Sequence, residues 1–135
     1  MRKPGETRIV KTFALDLDGK YGLSQFMDRI WILKYLGLKI LKVRVYHTTN
    51  GFHAKLTCDN QVDQVKAILI QVLLGDDYRR GLSNLLKVEH GCKNWNYLFK
   101  QKWKVDKLGD LVQVSKESFD KELSEKVLRA IQLGE

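Results

Sequence analysis

Two aspartates at the end of an apolar run, Asp16 and Asp18 in Ala14-Leu15-Asp16-Leu17-Asp18-Gly19, are the residues whose spacing first suggests chemistry. Side chains two apart in a strand project to the same side. Like charges held that close favour a divalent cation, Mg2+ or Mn2+, because its charge offsets their repulsion. Two acids beside a glycine can equally end a strand in water, and the pair alone leaves both readings open. Further along, His53 follows Thr48-Thr49-Asn50-Gly51-Phe52, and Lys55 follows two residues later. An imidazole and an ammonium on one strand face could meet a phosphate, the first by hydrogen bond and the second by charge. A hairpin at 49–51 would return both toward Asp16 and Asp18, whereas alone His53 would be an ordinary surface residue.

Positioning these groups needs a strand, a helix and a hairpin, and the hydropathy pattern supplies them. Residues 7–18 read as a strand inside a sheet. Ser24 is a plausible N-cap for a helix carrying Phe26, Ile30 and Leu33 that ends near Gly37. Residues 38–47 form a second strand with one wetter face, and Asn50-Gly51 signals a hairpin because both residues tolerate positive φ. The returning strand covers 52–57. Asp59 can cap the next helix, whose apolar face is expected at Val62, Val65, Ile68 or Leu69, and Val72 or Leu73. A short helix at 82–87, strands at 95–103 and 111–115, and a last helix complete the chain. Ser115 or Ser118 would cap that helix, with Phe119, Leu123, Val127 and Ile131 as its buried stripe.

This order contains the split unit of a ferredoxin-like or RRM-like α+β fold, an antiparallel sheet with helices on one face and the other face free for ligands, plus a C-terminal hairpin and helix. No internal repeat or long linker divides the 135 residues, so one domain over 1–135 is expected.

A strand ending in Asp16-x-Asp18, followed after a helix by a strand and the Thr49-Asn50-Gly51-Phe52-His53 turn, resembles the first two motifs of the archaeo-eukaryotic primase-polymerase family. The resemblance covers roughly residues 10–56, with the expected glycine-rich turn reduced to Gly51. It implies an RRM-like catalytic core in which Asp16 and Asp18 bind divalent metal, His53 contacts the incoming nucleotide, and the activity is metal-dependent nucleotidyl transfer of the kind used in DNA replication. It also implies a third acid on a later strand, for which Asp106 is the first candidate and Asp110 the second. Cores of that family are generally larger than this chain, so the resemblance extends to a minimal, accessory or inactive relative.

A template would need a basic track, for which Arg44, Lys55, Arg79, Arg80, Lys100 and Lys102 are candidates. In Gly75-Asp76-Asp77-Tyr78-Arg79-Arg80-Gly81, however, caps and Arg-carboxylate pairs explain the same residues without a ligand. Trp95, Tyr97 and Phe99 alternate on the expected strand. Exposed they would stack on bases, as in single-strand binders; buried they would be sheet core.

Composition narrows the classes. With 24 Lys and Arg against 16 Asp and Glu, the formal charge is +8, which favours anionic partners, nucleotide, DNA or RNA, over a membrane. A lysine-rich solubilising surface would carry the same charge. No apolar run is long enough to span a bilayer and no secretory core follows Met1, so a cytoplasmic or otherwise intracellular protein is expected. Cys58 and Cys92 make neither a disulfide framework nor a zinc motif, and no dinucleotide or P-loop glycine pattern occurs. A nucleotide-processing or nucleotide-binding protein is the leading expectation. A noncatalytic single-stranded DNA or RNA binder and a compact protein-interaction domain are the alternatives.

Overall fold

The apolar run that carries the two aspartates becomes strand β1, Ile9–Asp18, in the computed structural model, which describes residues 8–98 and 101–133. Helices α1 (Gly19–Arg29) and α2 (Trp31–Tyr35) lead to β2 (Ile40–His47) and β3 (Gly51–Asp63). Next come α3 (Gln64–Leu73), α4 (Tyr78–Glu89), β4 (Gln101–Val105), β5 (Leu111–Lys116), β6 (Ser118–Phe119) and α5 (Lys121–Gln132). Four strands form an open antiparallel sheet in the order β1-β3-β2-β6, and β4 pairs with β5 alone.

Alternation along the strands sorts the sheet into two faces. Phe13, Leu15 and Leu17 of β1 lie opposite Leu56, Ala54 and Phe52 of β3, and all six are buried. Val43 and Val45 of β2 continue these rows, and the same core takes in Phe26 of α1, Leu33 of α2, Ile68 of α3 and Val127 of α5. Each such large side chain contributes about 1.5–3 kcal/mol by leaving water. The complementary set, Thr12, Ala14, Asp16 and Asp18 with His53 and Lys55, belongs to the second face.

Beside β1 the end of α3, the α3–α4 turn and the start of α4 supply hydrogen bonds to the sheet edge, and beside β2 the short strand β6 and the start of α5 do so. Beside β1, the Ala14 N–H donates to Gln71 Oε1 at 3.0 Å and the Asp16 N–H to Asp76 Oδ1 at 2.8 Å. Arg80 Nη1 donates to the Ala14 carbonyl at 2.9 Å and to Asp76 Oδ2 at 2.8 Å. The Asp77 N–H reaches the Asp16 carbonyl at 3.3 Å. Beside β2, the Val45 N–H donates to Ser124 Oγ at 2.7 Å and the Asp120 N–H to the Val45 carbonyl at 2.9 Å. Unpaired edge groups would be costly where they are buried, and these side chains satisfy them. Burial pushes the Asp76 carboxyl up from its usual range, while the charge of Arg80 and the Asp16 N–H pull it back.

Several elements depart from the sequence expectation for local reasons. Helix α1 starts at Gly19, whose φ of 64° turns the chain straight out of β1, so Ser24 lies inside the helix rather than at its cap. Gly51 has no positive φ; it is required because a Cβ would run into the Leu17 carbonyl oxygen and lie 2.6 Å from the Gly19 nitrogen. Strand β3 continues to Asp63, which replaces Asp59 as the cap of α3. That helix buries Gln64, Ala67, Ile68, Ile70 and Gln71 and exposes Val65, Leu69 and Leu73, because its inner face must serve the polar edge of β1. Asp77 caps a longer α4, and Asp120, not Ser115 or Ser118, caps α5, leaving Phe119 on β6 outside the helix stripe. Of the strand expected at 95–103, Trp95 and Asn96 lie in a turn, Tyr97 and Leu98 have no regular structure, and residues 101–103 fall in β4. Cys58 and Cys92 are free thiols, and among the described residues no helix is long and apolar enough to cross a membrane.

Removing one partner of the buried Asp76–Arg80 pair strands a charge and an edge carbonyl, so Arg80→Ala is expected to cost about 3–5 kcal/mol in urea unfolding. Arg79→Ala, beside it but exposed, is expected to cost under about 1 kcal/mol. Equal losses from both variants would refute the edge-closing role.

Asp120 sits below its ordinary carboxyl value because the Leu123 N–H and then His47 hydrogen-bond to it. A depressed folded pKa stabilises above the ordinary value of 3.8 and that contribution is lost as pH falls through the folded value. Hydrogen-exchange protection of the Leu123 amide should therefore drop on acidification below 3.8 before that of core β3 amides does. Simultaneous loss would argue against a local cap.

Candidate functional site

Register across the sheet puts the chemistry-bearing residues in rows on the second face. Asp16 of β1 pairs with His53 of β3, which pairs with Tyr46 of β2, which pairs with Phe119 of β6. Direct antiparallel partners share a face, so the four side chains form one line. The neighbouring row is Ala14, Lys55 and Arg44.

His53 is the centre of this arrangement. Its Nε2 lies 3.7 Å from Asp16 Oδ1, and its Nδ1 lies 2.9 Å from Glu117 Oε2. The imidazole and Glu117 are largely buried, at 7% and 10% side-chain exposure, whereas Asp16 is 42% exposed. An ionised carboxylate only accepts, so with Glu117 ionised the ring hydrogen resides on Nδ1 and Nε2 faces the Asp16 side. Glu117 thus orients the ring while Asp16 keeps its carboxylate in solvent. The Asp16 main chain is immobilised on both sides, since its N–H is bound by Asp76 and its carbonyl by Asp77.

Asp18 stands two residues on, opposite Gly51 and at the N-cap position of α1. Its side chain makes no capping hydrogen bond, which leaves an exposed carboxylate beside a residue with no side chain of its own. Two exposed acids on one side of a strand end fit the way Mg2+ is usually held, by one or two carboxylates with substrate phosphates and water completing its shell. Among the described residues no three His, Cys, Asp or Glu side chains converge as a metal cluster.

Beside the acids the second face is cationic and aromatic. Lys55 Nζ lies 5.7 Å from the Tyr46 ring centre, and the Arg44 guanidinium lies 5.7 Å from that of Phe119. The two rings are 5.4 Å apart. These contacts hold the cations over the sheet without neutralising them.

The other sequence candidates go elsewhere. Asp106 is a turn residue of the β4–β5 hairpin, where its Oδ1 accepts from the Leu108 and Asp110 N–H groups at 2.9 Å each. Glu117 is the additional acid that touches His53. Its position just after the hairpin carries no distinguishing sequence signal, because only the pairing of β6 with β2 brings it there. Arg80 is engaged at the β1 edge and also donates to Asn96 Oδ1 at 2.9 Å. Arg79 is exposed and paired with Asp77, whose carboxyl it holds below the usual range. Lys100 and Phe99 lie outside the described residues, as does the side chain of Lys102. Trp95 is 2% exposed and offers no ring to a base, while Tyr97 is 54% exposed.

Comparison with protein-family models, with curated proteins and with solved structures finds no match to this chain.

Glu117→Ala removes the partner of His53 Nδ1 and opens the ring to solvent. Acylation of His53 by diethyl pyrocarbonate, followed by mass spectrometry, should accelerate several-fold over the native chain. An unchanged rate would show that Glu117 does not guard the imidazole.

Proposed function

We propose that this chain is a nucleotide-binding protein that holds a nucleoside triphosphate, with Mg2+ or Mn2+, at the end of β1 on the second face of its sheet. The observation that supports it most is the 3.7 Å approach of His53 to Asp16, from motifs separated by 36 residues, with Asp18, Lys55 and Arg44 on the same face. Asp16 and Asp18 are the carboxylates that take the cation. Bound there, the cation would screen phosphate charge and polarise the bond to the leaving group. Lys55 and Arg44 meet the remaining phosphate charge, and His53, with Nδ1 held by Glu117, donates from Nε2 to a phosphate oxygen in its doubly protonated form, the only form with a hydrogen on both ring nitrogens.

This reading agrees with the resemblance to the primase-polymerase family. The order β1-β3-β2, with β3 antiparallel to both neighbours, supports the reading as the split β-α-β unit of a ferredoxin-like or RRM-like fold. On the other side of β1 the α3–α4 turn takes the place where that fold has a further strand. The reaction that the pair of acids would serve is nucleotidyl transfer. A 3′-hydroxyl would give up its proton to solvent as its oxygen bonds to the α-phosphorus, the bridge to the β-phosphate would break, and pyrophosphate would leave with the bridging oxygen. Its setting would be inside the cell, with DNA or RNA as the acceptor strand.

Calorimetry with a deoxynucleoside triphosphate and Mn2+ should show metal-dependent binding by the native chain. Asp16→Asn with Asp18→Asn, confirmed folded by circular dichroism, should weaken it by at least about tenfold, or about 1.4 kcal/mol. Absence of native binding at millimolar nucleotide, or undiminished binding by the double variant, would sink the proposal.

A further inference from the structure

We infer that the cleft beside β1 is a track for single-stranded nucleic acid that ends at Asp16 and His53. The cleft encloses about 640 Å3 between β1 and the segment around 93–97. Arg8, Lys11, Lys55 and Lys93 line it with the exposed ring of Tyr97, and among the described residues no carboxylate lines it. Four cations around one concave surface attract a polyanion far more than the same charges scattered over a convex one. None of Arg8, Lys11 and Lys93 belongs to the basic residues singled out by the sequence; the cleft brings Lys93 beside residues 8 and 11 of the chain, with Arg8 Nη1 donating to the Lys93 carbonyl at 3.4 Å.

Length selects the occupant. Arg8 and Ala14 are six residues apart along an extended chain, roughly 20 Å at about 3.3 Å per residue. Three consecutive phosphates of a nucleotide cover only part of that distance. A nucleic-acid strand, with a phosphate every 3.4 Å or more, places several along it. The Tyr97 ring gives an unpaired base a stacking platform, which a duplex would hide inside its own stack.

Continuity gives the track a direction. Lys55 faces Ala14 across β1 and β3, two residues from His53, while Ala14 is two residues from Asp16 on β1. A strand lying on Arg8, Lys11 and Lys93 therefore reaches the acidic end through Lys55. Where the strand ends rests on the proposed nucleotide site, but its binding in the cleft does not.

The test is fluorescence anisotropy of a labelled oligothymidylate of about twelve residues with the full chain in EDTA, at about 50 and 200 mM salt. Lys11→Glu with Lys93→Glu should weaken binding at least about tenfold and flatten the log-log salt slope by about 1.4, at about 0.7 per lost phosphate contact. The charge-neutral pair Lys11→Gln and Lys93→Gln should show a smaller loss with an unchanged circular dichroism spectrum, which separates lost charge from lost fold. Manganese-dependent nucleotide binding should persist in both variants. Undiminished affinity in the Glu variant, equal affinity for a duplex of the same length, or no native binding at the lower salt would overturn the track. Oligonucleotide bound through the lysines without any nucleotide binding would uphold the cleft and refute the nucleotide site. Nucleotide bound without oligonucleotide would do the reverse.

Discussion

The structure depends on closing the outer edge of β1. That strand has a hydrogen-bonding neighbour on one side only, yet Ala14 is buried, so its edge N–H and carbonyl cannot rely on water. Gln71, Asp76 and Arg80 satisfy them. Gln71 and Asn96 bond each other reciprocally, at 3.1 and 2.7 Å, and Arg80 joins both Asn96 and the Tyr97 carbonyl. One buried network therefore secures β1, fixes the α3–α4 turn and positions the 93–97 segment. Networks of this kind are stable only when every member is satisfied, which makes each of the three polar residues demanding to replace.

The opposite edge uses the same device with different atoms. Asp120 and Ser124 at the start of α5 complete the hydrogen bonds of Val45, and Asp120 also caps its own helix. The edge atoms of Ala14, Asp16 and Val45 are thus satisfied within the fold, and the proposed ligand site lies on the second face. The acid pair belongs to that face because Asp16 uses its main chain for the edge and its side chain for solvent. His53 is held between an exposed acid and a buried one, which fixes its ring before any ligand arrives. Pre-set hydrogen-bonding groups cost no reorganisation when charge is bound.

Charge in this protein divides into structural and available parts. Arg80 and Asp76 neutralise one another inside, and Arg79 and Asp77 do so at the surface, so the arginine pair of 75–81 is engaged by carboxylates, as the reading of that segment as caps and ion pairs has it. Lys55 and Arg44 rest on aromatic rings and keep their charge. The cleft cations come from positions 8, 11, 55 and 93, which no local run of basic residues could reveal.

Periodicity alone was enough to place β1, the β2–β3 hairpin and the aspartate pair on one side of a strand, because alternation in an extended chain is a local property. It also brought His53 to the right strand. At α3 the local pattern left the face open: of the expected residues Val62 and Ile68 are buried, whereas Val65, Leu69 and Leu73 lie outward, since the inner face has to carry Gln71 to the edge of β1. It misled at Trp95 and Tyr97, whose alternation suggests a strand although Trp95 lies in a turn and Tyr97 in irregular chain. The place of Glu117 against His53, the use of Arg80, and the gathering of four cations in one cleft were decided by tertiary structure. Each joins groups separated by at least 60 residues or serves a backbone atom elsewhere in the fold. The amino-acid sequence determined which side chains could bind metal and phosphate; only the register of the strands and the closing of their edges decided which of them are free to do so.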